Sequence, residues 1–392
     1  MISLARYSAL LSAPEVRQTF AASALGRLPI GVTGLAILLL VQMSSGSFAR
    51  GGAAAACYVA GLALVAPVLG RLIDRHGPRR VLIACALAFP SVLLLLVAAS
   101  ARTDLAWLAL LAAAGAGASF PPITVCMRTY FRQVFGDDTL LAAAYSVESV
   151  LIEIIFIVGP LVVALFVAFA SPAVAVWFSA GCGFAGTLLF LRSPALRTWR
   201  VETRTSGGLL GPLADRQFVR LVAIVLCFAT AFGFLEIGIT AYAIERADAA
   251  FAGVLLGVMS TGSALGGLAY GSRGWHFPLA RQFAAALALT AIGLAALALR
   301  WDPWTLAAWC VIAGIAIAPA LIIQSMLVTK TARPEHSTEA FTWTTSALLA
   351  GVGIGLATGG AMLERFPSSA VLAAGAGAAL AAAAGARLLL GR

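Results

Sequence analysis

The chain has 392 residues, is 61% hydrophobic, carries 11% Asp, Glu, Lys and Arg, and has a formal net charge of +10. Soluble domains carry about 25% charged residues, so a chain this long with so few charges cannot cover a soluble surface, and its solvent is expected to be a bilayer. The basic balance does not point to nucleic acid, because the charges are spread over many short turns and not gathered on one face.

Residues 1–16 carry only Arg6 and Glu15 and show no cleavage pattern behind a short apolar core, so the first apolar run is expected to remain as an anchor. Runs of roughly 20 apolar residues, enough to cross about 30 Å of hydrocarbon, are predicted near 18–43, 51–73, 80–100, 105–127, 140–169, 172–191, 218–244, 250–272, 280–299, 304–328, 338–363 and 369–389. The longest polar stretch, 192–217, separates six of these twelve spans from the other six, giving an N-terminal bundle 1–191, a linker 192–217 and a C-terminal bundle 218–392. With the N-terminus placed in the cytoplasm, the inner turns hold twenty Lys and Arg and the outer turns five, while Arg27 is left inside a span. Both termini are therefore expected in the cytoplasm, with the linker. Trp107, Trp275, Trp301 and Trp304 sit near span ends and read as interfacial anchors.

The six cysteines, Cys57, Cys85, Cys126, Cys182, Cys227 and Cys310, all fall within spans without a CxxC pair and read as structural thiols. His76, His276 and His336 lie in turns, and no group has metal-ligand spacing. The glycines of "GVGIGLATGG" (351–360) follow no strand, so they read as helix packing and not as a nucleotide loop. No cofactor, metal or catalytic cluster is expected.

The halves repeat. "ALGRLPIGVTGLA" (24–36) and "AFGFLEIGITAYA" (231–243) share A-x-G-x-L-x-I-G-[VI]-T-x-x-A. Farther on, at an offset of 197, Gly70 and Gly77 match Gly267 and Gly274, and Gly117 and Pro122 match Gly314 and Pro319. Six-helix parallel repeats with a site between them are a transporter architecture.

Between spans two and three stands "GRLIDRHGPRR" (70–80), a dense charged turn in an apolar chain. It resembles the signature of the major facilitator superfamily, with Gly70, Leu72, Asp74, Arg75, Gly77, Arg79 and Arg80 at the matching positions, Pro78 in place of a basic residue and His76 in place of an aromatic one. The resemblance implies an all-α membrane protein of twelve helices in two pseudo-symmetric bundles. It also implies that Gly70, Asp74, Arg75, Gly77, Arg79 and Arg80 form a latch clasping the halves on the cytoplasmic side; the alternative is that the arginines only anchor topology. "FIVGPL" (156–161) is similar to the Gly-Pro motif in span five of the superfamily's proton antiporters, which assigns Gly159 and Pro160 to helix packing or gating. "LALLAAAGAGAS" has no Arg where many members carry one early in span four.

Four ionisable side chains lie well inside spans: Arg27, Glu148, Glu153 and Glu236. Each costs about 2.5–3.5 kcal/mol at a helix centre on insertion scales, which makes them proton-coupling or substrate candidates. Thr19, Ser23 and Arg27 form one stripe on span one, and Tyr145, Ser149 and Glu153 another on span five. Glu148 and Glu153 are about 140° apart and do not share a face. Arg27 is expected to pair with Glu148 or Glu153 inside the N-terminal bundle, leaving one carboxylate over to carry a proton. Glu236 aligns with Pro29 in the repeat, about 200° around the helix from the position of Arg27, and is expected to face the central cavity without a partner. Glu339 opens span eleven and is favoured there by the helix dipole.

The chain is thus expected to be a monomeric secondary transporter of the inner (plasma) membrane, in contact with lipid, a small-molecule substrate and protons, with export favoured over uptake. A non-transporting receptor on the same fold predicts a degraded latch and an uncharged cavity, and a membrane enzyme predicts a catalytic cluster.

Overall fold

The apolar runs fold as helices because a bilayer offers no partners for free backbone groups. The computed structural model describes residues 14–102, 105–201, 211–246, 251–299 and 302–390, with Ser8 and Ser12. Arg6 and Trp301 lie outside the described residues. Among those described, twelve helices are long and apolar enough to span: Pro14–Ser45, Arg50–His76, Pro78–Ser100, Ala106–Val134, Asp138–Phe169, Pro172–Leu191, Arg216–Ala243, Gly253–Gly271, Leu279–Leu297, Pro303–Thr331, Pro334–Leu363 and Ser368–Leu389, here spans one to twelve. The chain is a multi-pass membrane protein with two six-helix bundles.

Span four runs to Val134, beyond the expected end at 127, so Arg128 and Arg132 belong to a helix and not to a turn. Three spans are interrupted. Pro29, which has no N–H, divides span one into Pro14–Arg27 and Pro29–Ser45. Span four breaks between Ala118 and Ile123, and span ten between Gly314 and Ile317. The last two breaks fall at or beside the paired Gly and Pro positions of the repeat. Gly117 lies against the carbonyl of Tyr58 in span two and Gly314 against that of Met259 in span eight, and a Cβ at either would collide with that backbone.

Three cores show how the bundles meet. One is built from both halves, with Ile73, Tyr130, Phe131 and Tyr145 beside Phe218, Ile323 and Phe341. The other two are separate: one holds Val32, Ile37, Phe89, Leu93 and Val176 of the first half, the other Leu235, Ile239, Leu255, Leu306 and Leu372 of the second. The shared core lies at the end that carries the 70–80 turn, called here the basic end. The halves are therefore joined at the basic end and have independent cores at the other.

Candidate functional site

At the basic end, Gly77 has φ +79° and closes the turn by donating its N–H to Ile73 O at 2.8 Å, a conformation that glycine adopts without steric cost. The turn aims Asp74 at the first turn of span eleven. Its carboxylate accepts the backbone N–H of Thr338 at 3.0 Å and of Glu339 at 2.8 Å, groups that a helix start leaves without internal partners. Gly70 makes this approach possible, since a Cβ there would stand 2.5 Å from Thr342 Oγ1 and 2.9 Å from Glu339 Cα. Arg71 donates Nε at 3.0 Å and Nη2 at 2.5 Å to Glu339 Oε1, and Glu339 is fully buried. Glu339 is thus both a first-turn residue and one side of an ion pair between the halves, with His336 Nδ1 3.8 Å from its other oxygen. Arg75, Arg79 and Arg80 are exposed and make no ion pair among the described residues. Further bonds join the halves nearby: Arg132 Nη2 donates to Ala332 O at 2.6 Å, Ser146 Oγ to Gly267 O at 2.7 Å, and the Tyr145 and Thr329 hydroxyls lie 2.8 Å apart.

Inside the first half, Thr19, Ser23 and Arg27 are fully buried on one stripe. Arg27 Nη2 and Arg128 Nε both donate to Glu148 Oε1 at 3.3 Å. Arg27 is 0% and Glu148 1% exposed, while Arg27 Nε, Arg27 Nη1 and Glu148 Oε2 have no hydrogen-bond partner among the described residues. Two guanidiniums face one carboxylate here, the reverse of the expected two carboxylates against one guanidinium. Arg128 escapes a reading that ends span four at 127; the signal that finds it is the spacing Thr124, Arg128, Phe131, one face continuing past the break.

Glu153 does not join this cluster. It points across the interface, accepting from Ser263 Oγ of span eight at 2.7 Å and from the Ser260 hydroxyl. Gly159 packs on the backbone of Gly31 in span one, where a Cβ on either residue would clash, and Pro160 follows it within span five. Glu236 is exposed and its carboxylate has no partner among the described residues; Thr240 Oγ1 donates only to its backbone carbonyl. Gly238 packs on Leu372 of span twelve, and two residues are about 200° of helix, so Glu236 faces away from span twelve.

Residues 19–271 match the Major Facilitator Superfamily. Curated proteins provide no match. Solved structures share the fold across nearly the whole chain. A bacterial homologue of the iron transporter ferroportin, in its outward-facing state, is 11% identical over 96% of this chain and 99% of its own, with a TM-score of 0.80. The human organic anion transporter MFSD10 is 17% identical over 95% and 99%, with a TM-score of 0.73. A single-residue variant of the E. coli fucose:proton symporter FucP is 13% identical over 96% and 99%, with a TM-score of 0.74.

Proposed function

This chain belongs to the major facilitator superfamily, and we propose that it moves a small organic molecule across the inner (plasma) membrane by alternating access, exporting it in exchange for protons. The bundles 1–191 and 218–392 rock about the linker 192–217, and the basic end is cytoplasmic, as the excess of Arg and Lys there favours. On this reading the structure is the outward-open state. Asp74, Arg71 and Glu339 latch the cytoplasmic side, Gly70 and Gly77 shape that contact, and Arg75, Arg79 and Arg80 are topology anchors that the open latch exposes further.

The observation that carries the coupling is the environment of two carboxyl groups. Glu153 and Glu236 stand inside spans without a cationic partner among the described residues. A charged side chain there bears a desolvation cost that taking up a proton removes, so binding and release of a proton can be tied to which side is open. Uptake with a proton is the second reading, favoured by the shared fold with a fucose:proton symporter.

A thermal-stability screen of the purified protein against metabolites and drugs finds the substrate. Proteoliposomes then test coupling. Wild type is expected to accumulate that compound against its gradient when driven by a pH gradient, and Glu236→Gln or Glu153→Gln to lose accumulation while keeping substrate exchange, which needs no net proton movement. Full proton-driven accumulation in Glu148→Gln, Glu153→Gln and Glu236→Gln alike rules out intramembrane carboxylate coupling.

Orientation has its own test. An impermeant thiol reagent added outside intact cells is expected to modify Arg50→Cys and Arg365→Cys, both exposed at the far end, and to leave Arg192→Cys untouched. Modification of Arg192→Cys from outside reverses the topology.

A further inference from the structure

We propose that Glu153, through Ser260 and Ser263 of the opposite half, is the proton-sensitive seam that holds the basic end shut. The inference rests on the proton-coupled reading above and names the residue on which that coupling acts.

The three intramembrane glutamates differ in where their partners sit. Glu148 is held by Arg27 and Arg128, both in its own half, and keeps them whatever the halves do. Glu236 has no partner to exchange among the described residues. Glu153 alone of the three is bonded across the interface, by Ser263 Oγ at 2.7 Å and by Ser260. Any motion that parts spans five and eight must break these bonds, so the conformational change and the state of this carboxyl group are coupled by geometry.

The repeat shows what is special about this contact. Spans two and eleven form the pseudo-equivalent seam. There Ser346 Oγ donates to Ala63 O at 2.5 Å, a carbonyl left without its helical partner because Pro67, four residues on, has no N–H. The offset of 197 carries Ala63 onto Ser260 and Glu153 onto Ala350. The charged contacts of that seam, Asp74 and Arg71 with the start of span eleven, lie at the basic end; deeper in, it carries this neutral hydroxyl–carbonyl bond, indifferent to protons, where its counterpart carries hydroxyls on a carboxylate.

The surroundings leave Glu153 free to answer to a proton. Span eight has no Asp, Glu, Lys, Arg or His between Phe251 and Gly271, and its titratable Tyr270 lies about two turns from Ser263 and donates to Gln282. The part of span one that packs here, Pro29–Ser45, has no ionisable group, and span six offers only Cys182. In span four Arg128 is bound to Glu148 and Arg132 to Ala332 O, while Tyr130 and Cys126 are buried in the core at the basic end. In span ten Lys330 is bound to Asp138. On span five itself Tyr145 is engaged with Thr329.

The direction follows from hydrogen-bond strength. Serine hydroxyls donating to a carboxylate are charge-assisted and about twice as strong as bonds to a neutral acceptor. A proton taken by the Glu153 carboxylate from water on the open side weakens the seam and favours opening of the basic end, where the proton passes to water on that side. Loss of the charge assistance in two bonds corresponds to about a tenfold change in the ratio of basic-end-open to basic-end-closed protein.

Spin labels at Arg192→Cys and Arg281→Cys, exposed at the basic ends of spans six and nine, read that ratio as a distance distribution in nanodiscs without substrate. Acidification is expected to raise the open fraction of wild type about tenfold. Glu153→Gln is expected to show the raised fraction at every pH. Ser260→Ala/Ser263→Ala, which keeps the carboxyl group, is expected to lose most of the response, so a poorly folding Glu153 variant does not remove the test. A wild-type pH response in either variant overturns the seam. If wild type accumulates substrate with a pH gradient and Glu153→Gln does so equally, this inference falls and the proton-coupled reading stands. If wild type shows no proton-driven accumulation, the reading falls and the seam with it.

Discussion

Glu148→Ala is expected to destabilise the protein by about 3–5 kcal/mol. The carboxylate is the only anion on Arg27 among the described residues, Arg27 is fully buried, and the same carboxylate also receives Arg128. Removing it leaves two guanidiniums facing each other in a low-dielectric interior, and a buried charge without its partner is among the most costly defects a fold can carry. The cluster is already short of acceptors, because Arg27 Nε and Nη1 are unbonded among the described residues, none of which offers an oxygen ready to replace the lost one. The measurement is the yield of membrane-inserted protein and its melting temperature in detergent. Glu148→Ala/Arg27→Met is expected to recover much of the loss, because exchanging both members of a buried pair for apolar groups is often neutral. A Glu148→Ala protein that melts with wild type, or a double variant worse than the single one, removes the structural role of the cluster.

Asp74→Asn is expected to shift the protein toward the state open at the basic end by about tenfold to a hundredfold. Hydrogen bonds to a charged group contribute about 1.5–3 kcal/mol each, and 1.4 kcal/mol is a factor of ten in a population. Asp74 uses one oxygen for Thr338 N–H and the other for Glu339 N–H; an amide has one acceptor oxygen, so one N–H loses its partner and the negative charge at the helix start is gone. Arg71→Met acts on the same contact from its other side, by freeing the buried Glu339, and is expected to move the population in the same direction. Ser337, buried at this contact, reports the change: Ser337→Cys should react faster with an impermeant thiol reagent from the basic side in Asp74→Asn, and turnover should slow. Unchanged reactivity and turnover leave the turn as a topology anchor.

The spans, their number and the repeat are legible in the sequence because they are local sums. A window of roughly 20 apolar residues either crosses a bilayer or does not, and a matched Gly or Pro breaks span four and span ten alike. The pairs are settled only by the folded arrangement. Arg71 finds Glu339 across 268 residues, Glu153 finds Ser263 across 110, and Arg128 takes a share of Glu148 that a count of intramembrane charges had assigned to Arg27 or left over. Each pair depends on where a helix ends and how it is rotated, and one residue is about 100° of rotation. The end of span four at Val134 instead of 127 moves Arg128 from a turn into a span, and with Glu153 turned across the interface it reverses the charge balance around Arg27. Hydropathy is blind to it, because rotation and docking are set by packing between helices distant in the chain, such as Gly159 against Gly31 and Gly70 against the first turn of span eleven.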